Sequence, residues 1–248
     1  MRLLVLSDVH ANATALNAAL ASCQGLWEQA VCLGDLVGYG PDPNQVIDQV
    51  RPLVAAIIRG NHDKAVCGIG DLEDFNPVAS LAVEWTRAQL RADNLQYLSN
   101  LPAGPVHSDG VTLVHGAFQD EDEYVFVPEQ AIEGLLMAPA TLTFFGHTHM
   151  QGGFLFRGSV LDTITLKPPQ SDSLFSVLTI EPGSRYMLNP GSIGQPRDGD
   201  ARAAFAIVDS NRSLVEFWRV PYDIASVQER LRRARLPEPL AARLSSGR

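Results

Sequence analysis

The sequence predicts an α/β (α+β) fold, a four-layer αββα sandwich of two mixed β-sheets flanked by helices. Three observations carry that expectation. Short apolar runs alternate with helical patterns through the first half, as βαβ units do. From Gly152 onward the pattern changes to strand-like pairs around turn signals, and such a meander needs a second sheet face to pack against. Five of the apolar runs stop abruptly at Asp, Asn or His, and ligands of open α/β sheets bind beyond the carboxyl ends of the strands.

Taken in order, the run at 3–6 leads into Ser7, Asp8, Val9 and His10. Asn12 can then cap a helix with Leu16, Ala19 and Leu20 on one face, placing helix N–H groups where an anion is favoured. The run at 30–33 ends at Gly34 and Asp35. In the rigid loop that follows, Asp42 suits an N-cap and Pro43 the first residue of a helix holding Val46, Ile47 and Val50. The run at 54–58 opens onto Arg59, Gly60, Asn61, His62 and Asp63. Asn76 and Pro77 start a helix whose stripe Val78, Leu81, Trp85 and Ala88 is expected on the core, and Leu95, Tyr97 and Leu98 suggest a second short helix. The run at 111–114 stops at His115 and Gly116; a helix from Pro128 precedes the run at 141–145, which meets Gly146, His147, Thr148 and His149. Three hairpins should follow: 154–156 with 160–164, 174–180 with 185–188 around Pro182 and Gly183, and 205–208 with 214–220. An Arg-rich helix over 228–236 and a loosely held tail from Pro237 close the chain. Because the polar clusters run from Asp8 to His149, one domain is expected over 1–220, with the C-terminal helix and tail at 221–248 belonging to it.

With 248 residues, 46% hydrophobic and 19% charged, the chain is globular. No apolar run approaches the roughly 20 residues a membrane helix needs, and the N-terminal pattern is not that of a signal peptide. Three cysteines, Cys23, Cys32 and Cys67, form no CxxC pair, which speaks against a disulfide framework or thiolate zinc site and fits a reducing cytoplasm. A net charge of -9 disfavours nucleic acid as a partner. A small anionic substrate is compatible, since two divalent ions bring about +4 locally against about −2 from Asp8 and Asp35.

In a strand, residues i and i+2 face the same way, so Asp8 and His10 can share a metal if extended geometry continues past the first run. His147 and His149 repeat that spacing. Each pair alone is a weak signal. Clusters at five strand ends together describe one metal site, with Asp35 the candidate bridge between two ions. These DxH, GD, GNH, H and GHxH blocks, present and in order, make the chain resemble the calcineurin-like metallophosphoesterases over roughly residues 1 to 200. The stretch Asn189 to Arg197 also resembles the family's small bacterial branch, which includes phosphodiesterases.

The resemblance implies one ion held by Asp8, His10, Asp35 and His149 and a second by Asp35, Asn61, His115 and His147. Divalent manganese, iron or zinc fits best, with cobalt or nickel as further options. It also implies phosphate-ester hydrolysis by a metal-activated hydroxide, with His62 as general acid and Asp63 setting the imidazole's tautomer. Two departures bear on the substrate. The superfamily's protein phosphatases carry an Arg after GD that grips a terminal phosphate, whereas here Leu36, Val37, Gly38, Tyr39 and Gly40 follow. A monoester dianion would lose a bidentate partner, which favours a phosphodiester of a small soluble substrate. Ala11 stands where many relatives have Gly. Arg197, Asn12 and Tyr39 are the candidate substrate-binding residues, and His107, outside every block, reads as a surface or strand-start histidine. The alternatives are a phosphomonoesterase or protein phosphatase, a nuclease, and a non-catalytic metal-binding scaffold like the superfamily's retromer subunit.

Overall fold

The first apolar run becomes β1 (Arg2–Leu6), and its alternation decides the layering. In this computed structural model, which describes residues 1–70, 72, 75–166 and 173–248, Leu3 and Val5 join a cluster between two sheets, while Leu4 and Leu6 join one beneath helices. The first six-stranded sheet runs β3 (Ala56–Ile57), β2 (Gln29–Cys32), β1, β11 (Ala203–Asp209), β12 (Leu214–Val220) and β9 (Phe175–Thr179). The second runs β4 (Val106–Ser108), β5 (Val111–Leu113), β6 (Leu142–Phe144), β10 (Ser184–Asn189), β7 (Gly152–Arg157) and β8 (Val160–Ile164). Val31, Leu113, Phe144, Leu188 and Phe217 fill the space between them. On the outer face of the first sheet, Cys32 and Phe205 pack with residues of α1 (Ala13–Ser22) and α2 (Pro43–Val50). Outside the second sheet, α6 (Pro128–Met137) buries Ala131 and Leu135 against Phe145 and Met187. The expected αββα layering is present.

Because β1, β2 and β3 are parallel, their ligand-bearing ends share one edge. The parallel pair β5 and β6 does the same in the second sheet.

Several elements differ from expectation. The strands around Pro182 and Gly183 do not form a hairpin: β9 pairs with β12 and β10 with β6 and β7. The turn reverses the chain but carries it from one sheet to the other. Asn61 begins a helix, α3 (Asn61–Val66), and β4 is an added short strand on which His107 is exposed, in keeping with a surface or strand-start histidine. On α4 (Pro77–Gln89) the buried face is Ala79, Ala82, Val83 and Thr86, with Leu81 54% exposed. Its small residues, rather than the larger stripe, turn inward where α3 and α2 pack closely. The second short helix is α5 (Ala92–Ser99). The Arg-rich helix, α7 (Ile224–Arg233), starts earlier than expected because Asp223 caps it, accepting from the Ser226 N–H at 3.0 Å. The tail from Pro237 is not loose: α8 (Glu238–Leu244) buries Leu240, Ala241 and Leu244 with Val227, Leu231 and Tyr39. Among the described residues, no helix is long and apolar enough to cross a membrane.

Candidate metal centre and active-site cleft

Past Leu6 the backbone leaves the extended region, with Asp8 and His10 at φ of 51° and 47°. They therefore meet through a left-handed turn and not through strand alternation as expected. The Ser7 hydroxyl donates to Asp8 Oδ2, and the His147 N–H donates to Asp8 Oδ1 at 3.2 Å. Asp35 follows β2, also with positive φ. Its Oδ1 accepts from the His62 N–H at 2.8 Å, which leaves Oδ2 between His10 Nε2 at 3.5 Å and His115 Nε2 at 3.4 Å. A Cβ on Gly60 would overlap this carboxylate, so the GNH block needs its glycine for close approach. Ala11 sits at φ 50°, fully buried, a left-handed position that costs a non-glycine residue roughly 1–2 kcal/mol.

Two buried ligand groups result, Asp8, His10, Asp35 and His149, and Asp35, His115 and His147, each with ligand atoms within 4.8 Å of one another. Asn61 Oδ1 adjoins the second, 3.2 Å from His115 Nε2 and 3.0 Å from His147 Nδ1. The opposite nitrogen of every ring meets a main-chain carbonyl. His10 Nδ1 donates to Val37 at 3.0 Å, His115 Nδ1 to Leu33 at 2.8 Å, His149 Nδ1 to Gln195 at 2.6 Å and His147 Nε2 to Asp122 at 3.1 Å. A carbonyl can only accept, so each bond fixes an N–H outward and leaves the other nitrogen's lone pair facing the centre. His10 and His149 thereby face each other Nε2 to Nε2 at 3.0 Å. Two opposed lone pairs repel, and a cation between them removes the conflict. The residues fit two divalent ions, and a set of Asp, Asn and His without thiolate suits several first-row transition metals.

The electrostatics agree with a cation site. Burial lowers His10 and His149 and takes His147 to about 3, favouring the neutral form that ligates. Burial also lowers His115, but the Asp35 and Asp8 carboxylates and the Leu33 carbonyl together outweigh it and carry that imidazole up to about 10. Asp35 is pushed up by burial, yet His115 and His62 facing it hold it well below the carboxylate range. The centre thus attracts positive charge, which a metal supplies more fully than one proton.

His62 lies beside the ligands, 3% exposed, with ring centroids 4.3 Å from Tyr39 and 5.0 Å from Phe75. Its Nδ1 has no hydrogen-bond partner, and burial lowers it to about 4. Asp63 does not orient it. The Asp63 oxygens accept from the Val37 N–H at 3.2 Å and the Gly60 N–H at 3.1 Å, because in the first turn of α3 the carboxylate finds main-chain donors nearer than the neighbouring ring. Asn12 is likewise structural: Oδ1 caps α1 through the Ala15 N–H at 3.1 Å, Nδ2 donates to Gly194 at 3.0 Å, and the side chain is buried. Tyr39 does line the cleft of about 260 Å³ over the centre, with Asn61, His62, Phe75, Tyr124 and His147. Arg197 reaches Tyr39, its NH2 donating to the hydroxyl at 3.3 Å.

Sequence reasoning missed the braces. The Ser192 hydroxyl and Gly194 N–H both donate to the Asp8 carbonyl, while Asn189 Nδ2 holds Gly146 O and Thr148 Oγ1. Tyr124 stacks on His147 with centroids 3.8 Å apart, on a loop that Glu121 clamps to Arg59 at 2.7 Å. A main-chain carbonyl contact carries no residue-type signal; an aromatic pair at Tyr124 and Phe126, between two ligand blocks, was the available hint.

A two-sheet sandwich with adjoining Asp and His ligand groups at its strand ends defines a metallohydrolase. The calcineurin-like phosphoesterase superfamily domain matches residues 1–213, and the chain belongs to that superfamily of metal-dependent phosphoric ester hydrolases. It is 33% identical over 250 residues to an uncharacterised protein of Methanocaldococcus jannaschii, covering 98% of this chain and 97% of that one. A metallophosphoesterase from Sphaerobacter thermophilus is similar at 39% identity and TM-score 0.83, covering 100% of this chain and 99% of the other. A hypothetical protein from Pyrococcus horikoshii shares the fold, with TM-score 0.77 at 22% identity over 100% and 98% of the two chains.

Proposed function

We propose that the protein hydrolyses a phosphodiester bond in a small soluble substrate, using one ion held by Asp8, His10, Asp35 and His149 and another held by Asp35, Asn61, His115 and His147. The observation that carries this reading is Asp35 Oδ2, placed between His10 Nε2 and His115 Nε2 at 3.5 and 3.4 Å so that one oxygen serves both groups. When bound, such a pair of manganese, iron or zinc ions supplies Lewis acidity to the phosphoryl oxygens and makes water a competent nucleophile near neutral pH.

The chain's own residues do the rest. His62 lines the cleft, and its imidazole donates a proton to the departing oxygen. In the resting cleft burial keeps this imidazole neutral; an anionic phosphate and the charge building on the leaving oxygen favour its protonated form. Tyr39 and Arg197 hold a non-bridging oxygen. A diester is preferred because Leu36 and Val37, following Asp35, are buried apolar residues that offer no grip on a second phosphate charge. Free, unpaired Cys23, Cys32 and Cys67 support a cytoplasmic setting. Comparing kcat/KM on bis(4-nitrophenyl) phosphate and 4-nitrophenyl phosphate, after loading with manganese, tests the reading. The diester is expected to be the better substrate, and a strong preference for the monoester overturns it.

A further inference from the structure

From the side chains of Arg197 and Arg243 we infer a second anion subsite beside the metal centre, so that the substrate carries another anionic group, a carboxylate or phosphoryl, near the bond that is cut. This rests on the phosphodiesterase reading and extends it to substrate class. The Gln195 Oε1 accepts from Arg197 NH2 at 3.3 Å and from Arg243 NH1 at 3.2 Å. Two guanidinium groups thus lean on one neutral oxygen. Among the described residues no carboxylate pairs with either, although the chain holds 28 acidic residues against 19 basic ones. Neighbouring carboxylates are committed elsewhere: Asp198 to Arg219, Asp200 to Arg202 and Asp42 to Arg230.

Like charges gathered without a counter-ion are unfavourable, and an anion from outside the chain relieves them. Burial and the Arg197 charge both lower Arg243, as such crowding requires. The bracket adjoins the centre. Gln195 carries the carbonyl that holds His149, and Arg197 donates to the hydroxyl of Tyr39, whose ring centroid is 4.6 Å from that of His10. Arg243 comes from α8, beyond the residues 1–213 that match the family, and meets Arg197 and Gln195 from within them.

A matched pair of substrates tests the subsite. One is a 4-nitrophenyl alkyl phosphodiester whose alkyl group ends in a carboxylate; the other is its methyl ester. Both are assayed on the manganese-loaded protein for nitrophenolate release and, by calorimetry, for affinity. The wild type should favour the carboxylate by roughly 3–30-fold, a preference that shrinks with added salt because the bracket is only partly shielded from solvent. Arg243→Gln should abolish the preference, and Arg243→Lys should keep part of it by retaining the charge. Equal kcat/KM and equal affinity for the pair in the wild type, or a preference that survives Arg243→Gln, overturns the subsite. Absence of turnover on both sinks the phosphodiesterase reading instead, and the calorimetric ratio still decides the subsite.

Discussion

Replacing His62 separates proton transfer from metal binding, because the structure divides its atoms between the two tasks. Its main-chain N–H holds Asp35 Oδ1 at 2.8 Å and remains in any variant, while the imidazole contributes no atom to either ligand group. His62→Ala should therefore keep its metal content after dialysis. Loss of a general acid lowers turnover by roughly 10²–10⁴-fold, or about 2.7–5.4 kcal/mol in the barrier. The ring is buried between Tyr39 and Phe75, so truncation also costs about 2–4 kcal/mol of stability. His62→Gln fills more of that space and guards against a variant that merely unfolds. The assay is kcat/KM on aryl methyl phosphodiesters of graded leaving-group pKa, normalised to folded, metal-replete protein. The deficit should be largest for poor leaving groups and shrink towards 4-nitrophenolate, which departs without a proton. A loss equal across the series, or loss of the ions with the ring, would refute the assignment.

Asp35→Asn should release both ions together and abolish turnover while circular dichroism stays native, since one amide cannot accept from His62 and also offer oxygen to His10 and His115; full occupancy of both ions after dialysis would contradict a shared ligand. Arg197→Met should lower kcat/KM on the diester by roughly 10–150-fold, the equivalent of about 1.5–3 kcal/mol for a charge-assisted contact. Its protein partners are neutral acceptors at 3.3 Å, so the melting temperature should hardly move, and a lowered melting temperature with intact kinetics would count against the clamp.

Much of the centre was legible because ligand chemistry is written in residue type: Asp, Asn and His placed after apolar runs have few other reasons to recur. How they meet was not legible. The i, i+2 argument for Asp8 and His10 assumed an extended strand, but left-handed dihedrals at both positions do the work, and no side chain announces such a turn. Asp63 was assigned by adjacency to His62, whereas the helical start of α3 turns its carboxylate to main-chain donors. Pro182 and Gly183 did signal reversal, yet a turn says nothing of which sheet receives the next strand. The α8 helix was hidden by its seven-residue length, and its burial depends on α7 and on Tyr39, far away in sequence.

The placement of β1 also bears on how the protein is made. β1 pairs on one side with β2, soon available, and on the other with β11, where Val5 faces Ala206. The braces on Asp8 and on the Gly146 loop come from residues 189–194. At ribosomal rates of about 5–20 residues per second, some 200 residues take roughly 10–40 s to follow. Throughout that interval the nascent chain carries Asp8 and the Gly146 loop without the hydrogen bonds that brace them in the finished fold. Order of synthesis therefore leaves the geometry of the ligand cluster to be fixed late, when residues 189–194 close on Asp8 and the Gly146 loop.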